Sequence, residues 1–146
     1  ASLGTPDGVG DLGKSGCNIG YLSSNVDPIG THDKCVSIAG AYDMIGNAWE
    51  WVDGTISNGV LQGKTLPIEG YISSVDSDGI PTETNENADP NYAGDYFWID
   101  PASTVGMFRG GFWGKGEEVG VYAIFAASPP SFVGEAVGFR CVKAVE

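Results

Sequence analysis

Apolar residues in this chain occur in short runs, some of which alternate with polar residues, while apolar spacing at i, i+3 and i+4 is rarely sustained. Alternation predicts β-strands, and the lack of helical spacing makes long helices improbable. The strand-like stretches are residues 48–52, 96–99, 107–113, 119–127 and 136–142. Glycine contributes 23 residues and favours turns between these stretches. We therefore expect mostly short strands joined by long ordered loops.

The chain has 146 residues, the size of one domain, and contains no internal repeat. We treat residues 1–146 as a single domain. The formal net charge of -12 would repel a phosphate backbone, so we expect no nucleic-acid partner. The longest nearly apolar run, residues 119–127, is shorter than the roughly 20 residues that span a bilayer, so we expect no membrane insertion.

Residues 65–108 form an acidic insertion, because no lysine or arginine occurs between Lys64 and Arg109. Residues 76–79 resemble the start of an EF-hand calcium loop, yet the later oxygen ligands and the closing glutamate are missing at the required spacing. We expect a solvated, turn-rich loop at this point.

Three cysteines, Cys17, Cys35 and Cys141, cannot all pair within one chain. One disulfide is compatible with the sequence, and its pairing stays open. His32 would complete a four-ligand zinc set with the three cysteines, but no close cysteine pair supports such a site. We expect His32 to be a solvated loop residue.

The segment 40–51 combines strand alternation with a tight-turn signal. Trp49 and Trp51 flank Glu50, which places both rings on one face of a strand and the carboxylate on the other. Asp43 lies upstream across the turn-forming pair 46–47. Two carboxylates and turn carbonyls could complete a shell of about six to eight oxygens around calcium. The alternative is an ordinary turn whose carboxylates cap backbone N–H groups.

Three motifs occur in an order and separation that resemble one family: residues 40–51, Arg109-Gly-Gly111 and Gly138-Phe-Arg-Cys141. They resemble the formylglycine-generating-enzyme (sulfatase-modifying factor) branch of the C-type lectin fold, over about residues 16–53 and 107–143. The resemblance implies an α+β C-type lectin fold of the formylglycine-generating-enzyme subtype. It also implies that the chain starts partway into the family pattern, without the strand and two helices that normally precede it.

The resemblance further implies a structural calcium ion, Ca2+. In the family, the segment that matches residues 43–50 binds this ion. The ligands carried over to this sequence are the side chains of Asp43 and Glu50 and the carbonyls of Gly46 and Ala48.

Family oxidases carry two nearby cysteines just after the Arg-Gly-Gly segment, which bind copper and activate oxygen. Residues 109–122 of this chain contain no cysteine, so the soft ligands for that metal are missing. No recognisable serine, histidine and acid set replaces them. We expect this chain not to be an enzyme.

Residues 109–141 also resemble the variable region of proteins diversified by diversity-generating retroelements. The shared pattern comprises Trp113, Gly116, residues 120–123, Pro130-Ser131 and residues 137–141. In those proteins a reverse transcriptase randomises positions through adenine mutagenesis, and the randomised side chains form a ligand-binding surface. The matching positions are Phe112, Gly114, Lys115, Glu118, Phe125, Ala127, Ser128, Phe132, Gly134 and Ala136, with Glu117, Tyr122, Val133 and Glu135 beside them.

Strand alternation divides this variable region into framework and surface. The framework residues expected to be buried are Trp113, Val121, Ala123, Val137 and Phe139. Phe112, Phe125 and Phe132 are expected to be exposed aromatics, which suit a recognition surface. The alternative is that Phe125 and Phe132 fill a small satellite core.

The sequence therefore favours a non-enzymatic, receptor-type ligand-binding protein whose C-terminal surface is retroelement-diversified. We expect its partner to be a protein or other surface ligand, and its location to be a virion surface or the extracellular or cell surface. Two alternatives stay open: a formylglycine-generating-enzyme-like oxidase and a fixed carbohydrate-binding lectin. The sequence leaves the ligand, the source and the oligomeric state open.

Overall fold

The fold is built from strands, as a computed structural model of residues 14, 16–20, 22–37 and 39–141 shows. The strands are β1 (Trp49–Ser57), β2 (Val60–Leu61), β3 (Lys64–Thr65), β4 (Gly70–Val75), β5 (Pro81–Asn85), β6 (Tyr96–Ile99), β7 (Thr104–Arg109), β8 (Ile124–Ala126) and β9 (Val137–Phe139). Two three-residue 3-10 helices, Pro90–Tyr92 and Gly116–Glu118, complete the regular elements of the described residues. Neither helix is long enough to cross a membrane.

One curled sheet contains all nine strands. Its order is β3-β2-β1-β7-β8-β6-β4-β5, and β9 pairs with β1. The β1–β9 and β6–β8 pairs are parallel, and the others are antiparallel. The longest ladder joins β1 to β7, from Glu50 opposite Arg109 to Ser57 opposite Thr104, with a bulge between Val52 and Thr55.

The expectation of an α+β fold was wrong for the described residues. Strands make up 34% of the structure and helix only 5%, which gives a half-barrel of curled sheet. The physical reason lies in the local sequence: apolar residues recur with period two, and glycines at positive φ interrupt the chain too often for a helical stripe to form.

The strand predictions differ in how well they match the structure. Residues 96–99 coincide with β6, and residues 48–52 lie largely within β1, which continues to Ser57. Strand β7 starts earlier than predicted and ends at Arg109, because Gly110 and Gly111 turn the chain at φ 84° and 90°. The stretches 119–127 and 136–142 shorten to β8 and β9, and residue 142 lies outside the described part.

The acidic insertion contributes to the sheet more than its sequence indicated. It contains β4 to β6 and most of β7, and the turn predicted at residues 76–79 is confirmed. There the Asp76 carboxylate accepts hydrogen bonds from the backbone N–H groups of Asp78 and Ile80, at 2.9 and 3.1 Å. Strand β5 was missed because its outward positions are polar, as expected for an edge strand with a solvated face.

Two buried clusters form the core. The first contains Ile56, Ile72, Phe97 and Met107, and the second contains Trp49, Phe108, Val119 and Ala123 among others. The second cluster also includes the disulfide between Cys17 and Cys35, whose Cα atoms are 4.8 Å apart. This bond answers the pairing question that the sequence left open, and it leaves Cys141 as an exposed free thiol.

Three predicted environments need correction. His32 is half-buried rather than solvated, because its Nε2 lies 2.9 Å from the Asp27 carboxylate. Phe139 is 75% exposed and Trp113 is only half-buried, although Ala123, Val121 and Val137 pack on the core as expected. Alternation tells which residues share a face of a strand, but it cannot tell whether another element covers that face.

The Arg-Gly-Gly motif depends on its second glycine. A Cβ atom on Gly111 would lie 2.1 Å from the Val119 Cβ, and its φ of 90° strains any other residue. We expect Gly111→Ala to lower the free energy of unfolding by at least about 3 kcal/mol, measured by urea denaturation.

Gly138→Ala is the matched control, because in the described structure a Cβ there meets no atom within 4 Å. That variant should change stability by less than about 0.5 kcal/mol. Equal losses in the two variants would contradict the steric explanation.

Candidate functional site

A cavity of about 300 Å³ lies beside β1, β7 and β8, and its lining is almost entirely apolar. We call it the aromatic cavity. It is lined by Trp49, Phe108, Phe112, Lys115, Phe125, Ser128, Phe132, Gly134, Glu135, Ala136 and Val137.

The floor of the aromatic cavity is part of a row of rings that runs across four strands. Strand register places Trp51 opposite Phe108, Phe108 opposite Phe125, and Phe125 opposite Trp98. The successive ring centroids are 3.9, 5.9 and 6.3 Å apart. Trp49 joins this aromatic row from β1, with its ring 5.7 Å from Phe125. Such contacts stabilise beyond area burial alone and make the floor rigid.

The structure brings eight of the fourteen predicted surface residues to this one cavity. They are Phe112, Lys115, Phe125, Ser128, Phe132, Gly134, Glu135 and Ala136. The remaining six lie elsewhere: Gly114, Glu117, Ala127 and Val133 are exposed, Tyr122 packs on Tyr92 at 5.3 Å, and Glu118 borders a separate groove.

Two of the three phenylalanines expected to be exposed are half-buried. Phe112 and Phe125 pack against Trp49, with ring centroids 6.4 and 5.7 Å from it. Phe132 keeps 40% of its surface exposed and touches Phe108 edge-on. The satellite-core alternative thus describes Phe125 better than Phe132. The framework residues of the cavity, Trp49 and Phe108, were not anticipated as lining residues, because strand register is not visible in local alternation.

A buried ion pair fixes the loop that precedes β8. Lys14 and Asp95 are 3% and 0% exposed, and the Lys14 Nζ lies 2.9 Å from the Asp95 carboxylate. The same ammonium donates to the Glu117 carbonyl, and the other Asp95 oxygen accepts from the Tyr122 N–H at 2.8 Å. A Cβ atom on Gly120 would lie 2.3 Å from the Asp95 carboxylate, so only glycine fits there. Sequence reasoning missed this pair, whose members are 81 positions apart.

The predicted calcium segment holds a buried carboxylate. Asp43 is 3% exposed, and its Oδ2 accepts a hydrogen bond from the Gly30 N–H at 2.9 Å. Its other oxygen, Oδ1, is buried without a hydrogen-bond partner among the described residues. Gly46 turns at φ 70° against the Asn18 carbonyl and donates to the Gly110 carbonyl at 2.9 Å.

Arg140 supplies a positive charge at this segment. Its Nε donates to the Glu50 carboxylate, and its Nη2 donates to the Asp43 carbonyl oxygen at 2.9 Å. Burial raises the pKa of the Glu50 carboxyl, and the Arg140 guanidinium opposes that rise. Arg140 comes from the end of β9, so the contact depends on the parallel pairing of β9 with β1.

The donor chemistry of this segment fits a hard cation, because Asp43, Glu50 and the carbonyls of Gly46 and Ala48 all offer oxygen. The buried Asp43 Oδ1 is a free acceptor for such an ion. Across the described residues, no three His, Cys, Asp or Glu side chains gather into a metal-binding group. The carbonyl oxygens would therefore have to complete the shell, and the calcium site stays a prediction.

Arg109 of the Arg-Gly-Gly motif has a role that the sequence did not reveal. Its guanidinium donates to the carbonyl oxygens of Asp78 and Gly79, at 3.2 and 2.7 Å. The motif thereby attaches the turn between β4 and β5 to the framework of the variable region.

The family described as "Sulfatase-modifying factor enzyme 1-like domain" matches residues 9–145. No curated protein matches the sequence.

The Glu50–Arg140 pair makes stability depend on pH in a defined direction. Because the pKa of Glu50 is raised, the folded protein binds the Glu50 proton more tightly than the unfolded chain does. The stabilisation of the fold by this proton is therefore lost as pH rises through the folded-state pKa. Arg140 counteracts this loss only while Glu50 is ionised. We expect Arg140→Gln to cost about 1 kcal/mol more at about pH 7.5 than at about pH 4, by urea denaturation at both pH values.

Lys64→Gln is the control, because it removes the same charge from the exposed Lys64–Asp76 pair. It should change stability little at either pH. A loss for Arg140→Gln that does not vary with pH would show that Glu50 ionisation is not involved.

Proposed function

This chain belongs to the sulfatase-modifying factor enzyme 1-like domain family, and from that premise we propose that it is a non-enzymatic ligand-binding protein. The family is compatible with a C-type lectin-like fold. The proposed ligand-binding face is the surface of residues 109–141, with side chains diversified by a retroelement through adenine mutagenesis.

The observation that carries this proposal is the convergence on the aromatic cavity. Seven positions that were selected on sequence resemblance, and the adjacent Glu135, line one apolar cavity, together with framework rings. Positions chosen for an unrelated reason would not be expected to share a single concave surface. Concave apolar surfaces with a few polar groups at the edge are typical of binding sites.

The cavity separates a fixed floor from a replaceable rim. Trp49 and Phe108 are 7% and 1% exposed, so a change at either would disturb the core. Ser128 is half-buried, and Phe132 and Glu135 are exposed at the edge, where substitution has little effect on stability. A diversified binding protein needs this arrangement, because its ligand specificity must change while the fold persists.

The family name favours one alternative, an oxidase. Against it, the two cysteines that would bind copper after Arg109-Gly-Gly are missing from the sequence. Of the three cysteines present, Cys17 and Cys35 are joined to each other. Copper-dependent oxygen consumption by the purified protein would favour the oxidase over the proposed binding function.

The proposed partner is a protein or another surface ligand, met at a virion surface or on the outside of a cell. The disulfide between Cys17 and Cys35 supports an oxidising location. The net charge of -12 argues against nucleic acid as the partner.

The proposal predicts that the rim is replaceable and the framework is not. We expect the triple variant Ser128→Asn, Phe132→Asn and Glu135→Asn to lose less than about 2 kcal/mol of unfolding free energy. Val119→Asn, at a position that is 0% exposed, should lose more than about 3 kcal/mol, because it buries an amide in the core. Urea denaturation of the three proteins measures both losses.

The DNA around the coding sequence provides an independent test of diversification. A near-copy of the segment encoding residues 109–141 should lie beside a reverse-transcriptase gene. This copy should differ from the coding segment only at adenines. Lack of such a copy would overturn diversification, and unfolding of the triple variant would overturn the assignment of the rim.

We also propose a structural calcium ion at the segment 43–50. Its ligands would be the carboxylates of Asp43 and Glu50 and the carbonyls of Gly46 and Ala48. The free, buried Asp43 Oδ1 supports this assignment. In the described structure, Arg140 contacts the Glu50 carboxylate and the Asp43 carbonyl oxygen. A bound calcium ion would add further positive charge beside the carboxylates of Asp43 and Glu50.

Calcium removal should therefore lower the melting temperature. At a calcium concentration about 100 times the Kd, the ion should add about 2–3 kcal/mol to stability, and excess EGTA should abolish this gain. Asp43→Asn should make the melting temperature insensitive to calcium, whereas Asp53→Asn, an exposed neighbour on β1, should not. An unchanged melting temperature in EGTA, with no stoichiometric ion released, would refute the site.

A further inference from the structure

A second concave surface, of about 520 Å³, lies on the acidic insertion at the β4, β5 and β6 side of the sheet. We call it the acidic groove. Its lining includes three aromatic residues, Tyr71, Tyr96 and Trp98, and three carboxylates, Glu69, Glu86 and Glu118. Only Glu118 belongs to the predicted variable positions, so the groove is largely separate from the aromatic cavity.

The aromatic floor of the acidic groove is held by strand pairing. Register places Tyr71 of β4 opposite Tyr96 of β6, and their rings meet edge-on at 4.9 Å. Tyr96 in turn lies 4.8 Å from Trp98, two residues along the same strand. Three neighbouring rings on two paired strands form a floor that needs little rearrangement to receive a ligand.

The carboxylates give the groove a negative potential. The Tyr96 hydroxyl donates to the Glu69 carboxylate at 3.4 Å. Burial, followed by the negative charges of Glu69 and Glu118, raises the pKa of the Tyr96 hydroxyl. None of the described residues that line the groove is a lysine or an arginine, in keeping with the lack of basic residues between Lys64 and Arg109.

The Trp98 ring already attracts a cation within the chain. The Lys115 Nζ lies 4.8 Å from the centroid of this ring, which is the distance of a cation–π contact. Lys115 lines the aromatic cavity and not the acidic groove. The Lys115 ammonium thus already occupies a position on the Trp98 ring, which shows that this ring accepts a cation.

We propose that the acidic groove binds an organic cation of the quaternary or methylated ammonium class. Aromatic faces favour weakly hydrated cations, because such ions lose little solvation when they leave water. The carboxylates at the groove add Coulomb attraction, and the same charges disfavour phosphates and other anions. The net charge of -12 also raises the local concentration of cations.

Choline is the probe, and 3,3-dimethylbutan-1-ol is its uncharged control of nearly the same shape. Titrations of the full chain followed by NMR should give saturable shifts at Tyr71, Tyr96 and Trp98 with choline. The neutral alcohol should bind at least about tenfold more weakly, since it lacks the charge that the rings and carboxylates recognise.

Two sets of variants distinguish the effect of the groove carboxylates from that of the overall negative charge of the protein. Glu69→Gln, Glu86→Gln and Glu118→Gln together should weaken choline binding about tenfold. The matched set Asp33→Asn, Asp53→Asn and Glu83→Gln removes three exposed acidic charges outside the groove lining and should change affinity less than about twofold. The spectra of both sets report whether the fold is kept.

Three outcomes would overturn the proposal: no saturable shift with choline, equal binding of the neutral alcohol, or an equal loss in the two variant sets. The rim variant with Ser128, Phe132 and Glu135 replaced should bind choline like the unaltered protein. Failure of the groove proposal and failure of the proposed function would thus be seen in different measurements.

Discussion

The ladder between β1 and β7 is the interaction on which the rest of this structure depends. It sets Glu50 opposite Arg109 and so joins two motifs that are far apart in the sequence. The free edge of β1 then receives β9, which brings Arg140 to Glu50, and β7 receives β8, which places Phe125 beside Phe108. Gly106 permits the close approach, because a Cβ there would lie 2.1 Å from the Trp51 ring. Both the charged segment and the aromatic cavity follow from this one pairing.

The aromatic row links the two concave surfaces. It begins at Trp51, passes under the aromatic cavity through Phe108 and Phe125, and ends at Trp98 beside the acidic groove. Lys115 borders the cavity while its ammonium rests on the Trp98 ring. A substitution at Lys115 would therefore alter the surroundings of both surfaces, although the proposed ligands differ.

Local sequence was sufficient for some elements and insufficient for others. The run of aromatic and β-branched residues at 96–99 identified β6, because these residue types are enriched in strands. The polar edge strand β5 carries no such signal, and its assignment depends on pairing with β4. The resemblance selected positions that converge on one cavity, but it could not show that Phe112 and Phe125 pack on Trp49. The partners Lys14 with Asp95 and Glu50 with Arg140 are set by tertiary contact, which spacing alone does not encode.

The attachment of the acidic insertion has a consequence for how this protein can evolve. Arg109 holds the turn between β4 and β5 through the carbonyl oxygens of Asp78 and Gly79, not through their side chains. Every residue type presents a carbonyl, so the anchor is indifferent to most changes of composition in the hairpin. Gly79 is the exception, because its φ of 71° and the adjacent guanidinium leave no room for a side chain. Substitutions in the hairpin can therefore change the charge and size of its side chains, while the hairpin keeps its position on the framework.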